Sequence, residues 1–514
     1  MARRRMPSPL VLATLAAMAL GTAAVPATAQ VNPPGTLRIG IDNDADALDP
    51  TLSRTLVGRV VFNGLCDKLV DIDAKLAIVP QLATSYTWTD PVTLELKLRQ
   101  GVKFHDGTEL DSAAVKASLE RHLNMQGSTR RGELAGLKDI VEVDRHTVRL
   151  VLTAPNASFL AQLTDRAGMI MSAKAIAALG NDFGKAPVCA GPFRFTERIP
   201  QDRIVLDRFP EYWDAANIHL NRLVYLPVVD GSVRVANLRA GALDMIMGLL
   251  PHNADEVKGD NRLRLVVMDG LGYTSLTFNH VNGTRPRTPM MQDARVRKAF
   301  ELSLDRKALV DVVYGGLYTV MAQALPPNSP FHAPQVTVPA RDVAKARALL
   351  AEAGVKTPLA VELMIPNSPD ARQAGEVMQS MAAEAGFDVK LRSTEFVTAL
   401  RASDAGDFEI FFIGWSGRAD ADANMWNMIR SKGPLNSSGY SNPTVDTWLE
   451  EARATTDIAA RRALYGRIAA QVHQDIPLLY LFSGKPIMGM NAKVTGFVPV
   501  PDGLIRVQGM KIAP

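Results

Sequence analysis

Hydrophobic and polar positions follow two different rhythms along this chain. Strict alternation predicts half-buried strands at Thr36–Ile41, Thr93–Leu98 and Thr147–Leu152. Apolar residues at helical spacing predict amphipathic helices at 341–353 and 371–385, each stopped by a following glycine. In the C-terminal half a strand follows each of these helices, so the pattern predicts an α/β fold with a mostly parallel sheet between helices.

One buried run ends abruptly in a polar loop. Residues 410–413 form a short apolar segment, which is typical of a strand covered on both faces, and we expect Gly414 to close it. Ligands of open α/β sheets bind beyond the carboxyl ends of the strands, so this loop is a candidate binding site. The alternative is that Trp415 is part of the core and the charges face solvent. The candidate residues are Trp415, Ser416, Arg418, Asp420 and Asp422.

A second polar loop, at 42–50, follows the first predicted strand. Its alternating acids resemble a calcium loop, but Ala47 replaces the required glycine and Ser53 the bidentate glutamate, so we reject calcium. Asp44 is instead a candidate for the lip of the same crevice, with a solvated acidic turn as the alternative. Two cysteines and eight scattered histidines offer no zinc spacing, and we predict neither a metal nor a cofactor.

The N-terminal 29 residues have the layout of a secretory signal. Arginines at 3–5 precede an apolar run at 10–21, and small residues at 27–29 form a cleavage site before Gln30. The apolar run is shorter than a membrane-spanning helix requires, and the absence of a cysteine at the cleavage site argues against a lipid anchor. We therefore predict a soluble protein of the periplasm.

Composition narrows the class of protein further. A 47% hydrophobic and 21% charged chain is ordinary for a globular protein, and about 485 residues after cleavage predict two or three domains. The formal charge of +4 falls to +1 when the three signal arginines are removed. Basic residues are interleaved with acids throughout, which argues against a nucleic-acid partner.

The two cysteines, Cys66 and Cys189, are an even number in a chain predicted to leave the cytoplasm. A disulfide between them would close a loop of about 120 residues and stabilise the fold by about 4–5 kcal/mol on a chain-entropy treatment. Two separate buried thiols are the alternative.

Six segments carry a resemblance to a known family. In chain order they are 47–50 (ALDP), 101–108 (GVKFHDGT), 190–195 (AGPFRF), 209–213 (FPEYW), 296–309 (VRKAFELSLDRKAL) and 344–354 (AKARALLAEAG). With these segments in this order, the whole mature sequence resembles the solute-binding proteins of peptide-type ABC importers, the extracellular solute-binding family 5.

The resemblance implies two lobes joined by a hinge, with an extra α/β domain inserted near the N-terminus. The solute is enclosed between the lobes and handed to an ABC permease in the inner membrane, and we expect a monomer. One lobe is expected at 36–60, 190–278 and 483–514, the insertion at 61–189, and the other lobe at 279–482. A disulfide between the two cysteines would then pin the base of the insertion.

The resemblance also informs the choice of solute. In dipeptide- and oligopeptide-binding members an acid three residues after the strand-end Trp pairs with the ligand amine, and here that position is Arg418. The carboxylate-binding arginine of dipeptide members has no counterpart at 365–367. We therefore expect a peptide or peptide-like solute other than a plain dipeptide, with Trp415 stacking on it and Arg418 binding an acidic group. The alternative is an Arg418–Asp420 loop pair without ligand contact.

A hydrolase and a peptide-binding chaperone are the two competing classes of function. The segment 414–418 (GWSGR) begins like a nucleophile elbow but lacks the second glycine at the required place, and no catalytic arrangement emerges. We therefore predict a binding protein and not a hydrolase. A periplasmic peptide-binding chaperone stays open, and it would bind many unfolded chains weakly.

Overall fold

The computed structural model describes residues 33–513, so the predicted signal peptide lies outside the described residues. The three strands predicted from alternation have the predicted bounds. The strands are β1 (Thr36–Ile41), β2 (Val70–Ile72), β3 (Ile78–Pro80), β4 (Ala83–Asp90), β5 (Thr93–Leu98), β6 (Leu137–Asp144), β7 (Thr147–Leu152), β8 (Phe193–Ile199), β9 (Arg203–Arg208), β10 (Arg222–Pro227), β11 (Met245–Ile246), β12 (Leu263–Val267), β13 (Tyr273–Phe278), β14 (Thr319–Val320), β15 (Leu359–Pro366), β16 (Phe387–Thr394), β17 (Ile410–Trp415), β18 (Leu478–Ser483), β19 (Ile487–Asn491), β20 (Val494–Thr495) and β21 (Lys511–Ile512).

The two predicted helices begin and end within two residues of the expected bounds. The glycines that follow them, Gly354 and Gly386, have φ angles of 68° and 102°, a left-handed backbone that favours glycine. The helices are α1 (Leu56–Leu65), α2 (Ser112–Asn124), α3 (Phe159–Gln162), α4 (Ala173–Leu179), α5 (Gly231–Arg239), α6 (Pro251–Lys258), α7 (Pro289–Gln292), α8 (Ala294–Ser303), α9 (Arg306–Tyr314), α10 (Val343–Glu352), α11 (Pro369–Ala383), α12 (Phe396–Asp404), α13 (Asp422–Ile429), α14 (Pro443–Ala454) and α15 (Ile458–Asp475).

Two large sheets organise the two lobes of this α/β fold. Lobe I is built on seven strands in the order β12-β19-β11-β1-β10-β9-β8, and lobe II on six strands in the order β14-β18-β13-β17-β15-β16. One face of the lobe I sheet packs on α1, and its other face packs on α5 and α6. The lobe I sheet could not bury both faces without these helices.

The expectation of a mostly parallel sheet in the C-terminal half is wrong. In lobe II only β17, β15 and β16 run parallel, whereas β13 is antiparallel to both β17 and β18, and β18 to β14. The reason is the chain path: β13 enters lobe II from lobe I and the neighbouring β18 leads back, so the two strands run in opposite directions.

The inserted domain is a four-stranded antiparallel sheet, β4-β5-β7-β6, packed on α2 around its own core. The disulfide between Cys66 and Cys189 is present, with the two Cα atoms 4.9 Å apart, and it joins the chain where the insertion leaves lobe I to the chain where it returns. Two predicted boundaries differ from the structure. Residue 61 falls inside α1, which packs in the lobe I core, and β13, expected in the first lobe, pairs within the lobe II sheet.

Two chain segments cross between the lobes side by side, at 268–272 and 484–486. The amide of Met268 donates to the carbonyl of Pro486, and the Ser483 hydroxyl donates to the carbonyl of Gly272. A Cβ atom at Gly272 would lie 1.8 Å from the Trp415 carbonyl oxygen, so only glycine fits where the crossing touches β17.

Candidate functional site

A cavity of about 580 Å³ lies between the two lobes, which is a size typical of small-ligand sites. Lobe I contributes the residues that follow β1, the start of α1 and the start of α5. Lobe II contributes the end of β17, the start of α11 and the end of α9. The site therefore lies beyond the carboxyl ends of β1 and β17, as the rule for open α/β sheets predicts. We call it the interlobe cavity.

Trp415 lines the interlobe cavity, and it does so as the last residue of β17. The strand thus runs one residue past Gly414, which was expected to close it. The Trp415 indole Nε1 donates to Asn424 Oδ1 at 2.9 Å, and the same oxygen accepts the Arg418 amide at 2.8 Å. Asn424 therefore fixes both the ring and the loop after it. This residue was not a sequence candidate, because nothing in an amide's position along the chain reveals such a bridging role.

Ser416 also lines the cavity, and its hydroxyl oxygen is 3.2 Å from Arg59 Nη1 and 3.3 Å from Arg418 Nη1. Both guanidinium groups donate to it. The hydroxyl is thereby held at the junction between α1 of lobe I and the loop after β17 of lobe II.

Arg418 is not one of the described residues that line the interlobe cavity. Its side chain is only 10% exposed and pairs with Asp165 of the inserted domain, which also pairs with Arg59 at 3.1 Å. Its guanidinium carbon lies 4.7 Å from the centre of the Trp415 ring, on the ring face. Arg418 thus joins lobe II to the inserted domain behind the cavity wall. A ligand contact by Arg418 stays a prediction.

Asp165 contacts Arg59, Arg166 and Arg418, and we call these four residues the Asp165 cluster. Their pKa values depend on burial and on the charges of one another. Burial, together with the charge of Arg59, lowers the pKa of Arg418 to about 10, although the charge of Asp165 acts in the opposite direction. Burial alone would raise the pKa of Asp165, but the charges of Arg418, Arg59 and Arg166 hold it well below its ordinary value. Asp165 is therefore ionised at neutral pH and is the counter-charge that these arginines share.

The acids of the same loop are paired within the protein. Asp420 accepts from Arg461 at 3.0 Å, and Asp422 accepts from Arg453 at 2.7 Å. The alternative of an Arg418–Asp420 loop pair is therefore wrong, because Arg418 pairs with Asp165 and Asp420 pairs with Arg461. Both acids act here by holding the loop on α14 and α15 of lobe II.

In the first acidic loop the cavity is lined by Asp42 and Asn43, and not by Asp44. Asp44 is buried, lies 3.1 Å from Arg198 and accepts the Gln201 amide. Asp42 and Asn43 therefore line the cavity where Asp44 was predicted to lie, because the chain turns toward the protein interior immediately after β1.

Other polar residues of the cavity wall were not predicted at all. Arg54 and Arg234 come from lobe I, while Tyr314, Tyr318 and Asp370 come from lobe II. Asp370 stands in the first turn of α11, so the rule used for strand ends could have found it had it been extended to helix starts. Within residues 33–513, no three His, Cys, Asp or Glu side chains gather as a possible metal site. None of the helices in that range is long and apolar enough to cross a membrane.

Two lobes around a solute-sized cavity, with a domain inserted in one of them, define a periplasmic binding protein. Residues 77–437 match the family of bacterial extracellular solute-binding proteins, family 5 Middle, and the chain belongs to this family. Its role in ABC import is to bind the substrate.

Relatives match along nearly the whole chain. The glutathione-binding protein GsiB of Pectobacterium atrosepticum is 29% identical over 485 residues, covering 91% of this chain and 93% of that protein. GsiB of Escherichia coli is 26% identical over 481 residues, with 90% and 92% covered. Among solved structures, the binding protein AgaA of A. tumefaciens R10 in complex with agropinic acid is 28% identical, with a TM-score of 0.86 and 93% and 99% of the two chains covered.

Proposed function

We propose that this protein captures a peptide-like solute between its lobes in the periplasm and delivers it to an ABC permease, as a monomer and without chemical change to the solute. The observation that carries the proposal is the interlobe cavity with Trp415 in its wall. Two relatives support the class of solute, since one is named for glutathione and the other is complexed with agropinic acid.

The lining of the cavity suits such a solute. Aromatic and aliphatic side chains alternate with hydroxyl and carboxyl groups, which is typical of sites that orient a small ligand by a few polar contacts. The Trp415 ring is held by Asn424, so little side-chain entropy is lost when a ligand stacks on it. The hydroxyl groups in the wall include those of Ser416, Ser437 and Ser438.

Native mass spectrometry of the purified protein tests the proposal first, by detecting a retained solute of defined mass. Thermal-shift screening follows with di- and tripeptides, glutathione and agropinic acid, because a ligand at 100 times its Kd stabilises the protein by about 2.7 kcal/mol. Trp415→Ala should weaken binding of the hit by about 30-fold or more, the effect of removing a central aromatic contact. Trp88→Ala is the matched control, since Trp88 is exposed on the inserted domain.

The proposal is wrong if no small solute binds and the protein instead holds many unfolded chains weakly, which is the behaviour of a chaperone. It is also wrong if the bound solute is released chemically altered. If both tryptophan variants lost binding equally, Trp415 would not be a specific ligand contact, and the proposal of solute capture would still stand.

A further inference from the structure

The positive side chains of the interlobe cavity already have partners in the protein. Arg54 Nη1 donates to both carboxylate oxygens of Asp404, at 2.7 and 2.6 Å. Arg234 donates to three backbone carbonyls, including that of Gly248 at 2.7 Å. Lys485 lies 3.4 Å from an Asp269 oxygen. The two guanidinium groups in particular are held by the protein and are poorly placed to attract an anionic solute.

Two carboxylates of the cavity wall are in the opposite situation. Asp42 follows β1 in lobe I and Asp370 begins α11 in lobe II, and both are half-buried. Neither carboxylate has a hydrogen bond or ion pair to any other described residue. Gly248 leaves space for Asp42, because a Cβ atom there would lie 2.9 Å from an Asp42 oxygen. Burial lowers the pKa of Arg234, and the charges of Asp42 and Asp370 oppose this lowering. The Arg234 guanidinium therefore lies within electrostatic range of acids from both lobes.

An unpartnered buried acceptor lies in the same wall. Asn253 is only 2% exposed, and its Oδ1 atom has no hydrogen-bond partner among the described residues. It lines the cavity beside the start of α5, where Arg234 also lies. A buried amide oxygen without a hydrogen-bond donor destabilises the protein, and a donor on the ligand would relieve that destabilisation.

An aromatic wall stands next to Asp370. Tyr314 and Tyr318 stack with ring centres 4.6 Å apart, and both line the cavity. Burial raises the pKa of both phenols, and the charge of Asp370 raises it further. The carboxylate is therefore close enough to act on both phenols, and an aromatic face beside a free carboxylate is a favourable setting for a cation.

We propose that the cavity holds a primary ammonium group of the solute in the part bounded by Asp42 and Asp370, beside the stacked Tyr314 and Tyr318. An ammonium has three donors and no acceptor, which matches two unpaired carboxylates and the Asn253 oxygen. This proposal rests on the proposed function and adds the sign of the charge that is recognised. That sign is opposite to the one expected from Arg418.

The probe is a library of di- and tripeptides that includes glutathione, used once unmodified and once with every amine acetylated. Native mass spectrometry measures the amount of each form bound by the full chain. The unmodified library should bind at least about 10-fold more tightly than the acetylated one, the size of one or more charge-assisted hydrogen bonds. Asp370→Asn should reduce this preference by about 10-fold, so that a preference of about 10-fold becomes nearly equal binding, and Asp42→Asn gives an independent second variant.

Asp388→Asn is the matched control. This substitution also removes one negative charge from lobe II, but Asp388 does not line the cavity. Equal binding of the two libraries by the wild-type protein would overturn the ammonium site while leaving solute capture intact. An unchanged preference in both folded cavity variants would overturn it too. If neither library binds, this inference is overturned, and if agropinic acid and every other small solute screened also fail to bind, the proposed function is overturned with it.

Discussion

Replacement of Arg418 by methionine should destabilise the protein, because it removes one partner of a buried ion pair. Asp165 is 6% exposed and would keep Arg59 at 3.1 Å as its counter-charge. Removing one member of a buried pair lowers the free energy of unfolding by about 3–5 kcal/mol. Since Arg59 remains, we expect the lower end of that range, about 3 kcal/mol, for Arg418→Met.

Urea unfolding between pH 6 and 8 measures this loss, and Arg430→Met is a close control. Arg430 also lies over a tryptophan, with its guanidinium carbon 4.9 Å from the Trp426 ring centre, and it also pairs with an acid, Glu450, at 2.7 Å. Its pair is exposed, so the loss should be about 1 kcal/mol or less. Asp165→Asn combined with Arg418→Met should be less destabilised than the sum of the single variants. Equal, small losses for Arg418→Met and Arg430→Met would refute the role we give to the Asp165 cluster.

A second variant at the same position tests the ligand contact predicted for Arg418. Calorimetry with the identified solute compares its affinity for wild-type and Arg418→Ala proteins, both measured below their unfolding temperatures. A large loss of affinity in a folded variant would favour the predicted contact with an acidic group. Unchanged affinity beside a lowered stability would assign Arg418 to interdomain contact alone.

Three further outcomes are expected. Arg54→Ala should weaken solute binding by about 2- to 5-fold through faster dissociation, measured by stopped-flow fluorescence, because it removes an exposed salt bridge between the lobes. Cys66→Ala with Cys189→Ala should lower the free energy of unfolding in urea by about 4–5 kcal/mol, because the bond spans 123 residues. Burial lowers the pKa of His122 from 6.5 to about 3, so the unfolded state binds its proton first as pH falls below 6.5. Stability should therefore fall by about 2 kcal/mol on this account between pH 8 and pH 5, and His122→Gln should remove that part of the loss.

Local patterns predicted the elements of the fold well, and the pairing of elements less well. The strand at Thr93–Leu98 and the helix stop at Gly354 are decided by neighbouring residues, so alternation and left-handed glycine were sufficient. Strand direction in lobe II depends on where β13 and β18 cross from lobe I, and no local pattern reports such a crossing. The boundary at 278 failed for the same reason.

The candidate site was predicted in position and only partly in content. Trp415 and Ser416 line the cavity because they end a central strand, which is a property the sequence displays. Arg418 and its neighbouring acids have partners that lie far along the chain. Asp165, for example, precedes Arg418 by about 250 residues and belongs to another domain. The sequence of a polar loop therefore shows that a charged residue is present. It does not show whether that residue forms an ion pair with a distant part of the chain.

The charge that a solute meets is what remains after the protein's own pairs are formed. Judged by sequence, the loop after β17 offers Arg418 to an anion, but that guanidinium is already paired with Asp165 behind the wall. Within the cavity Arg54 pairs with Asp404 and Arg234 donates to backbone carbonyls, whereas the carboxylates of Asp42 and Asp370 have no such partner. Because an unpaired half-buried carboxylate attracts a cation far more strongly than a paired arginine attracts an anion, specificity should follow the acids. The acetylated and unmodified peptide libraries separate these two possibilities directly, since acetylation removes the ammonium and leaves every acidic group of the peptides unchanged.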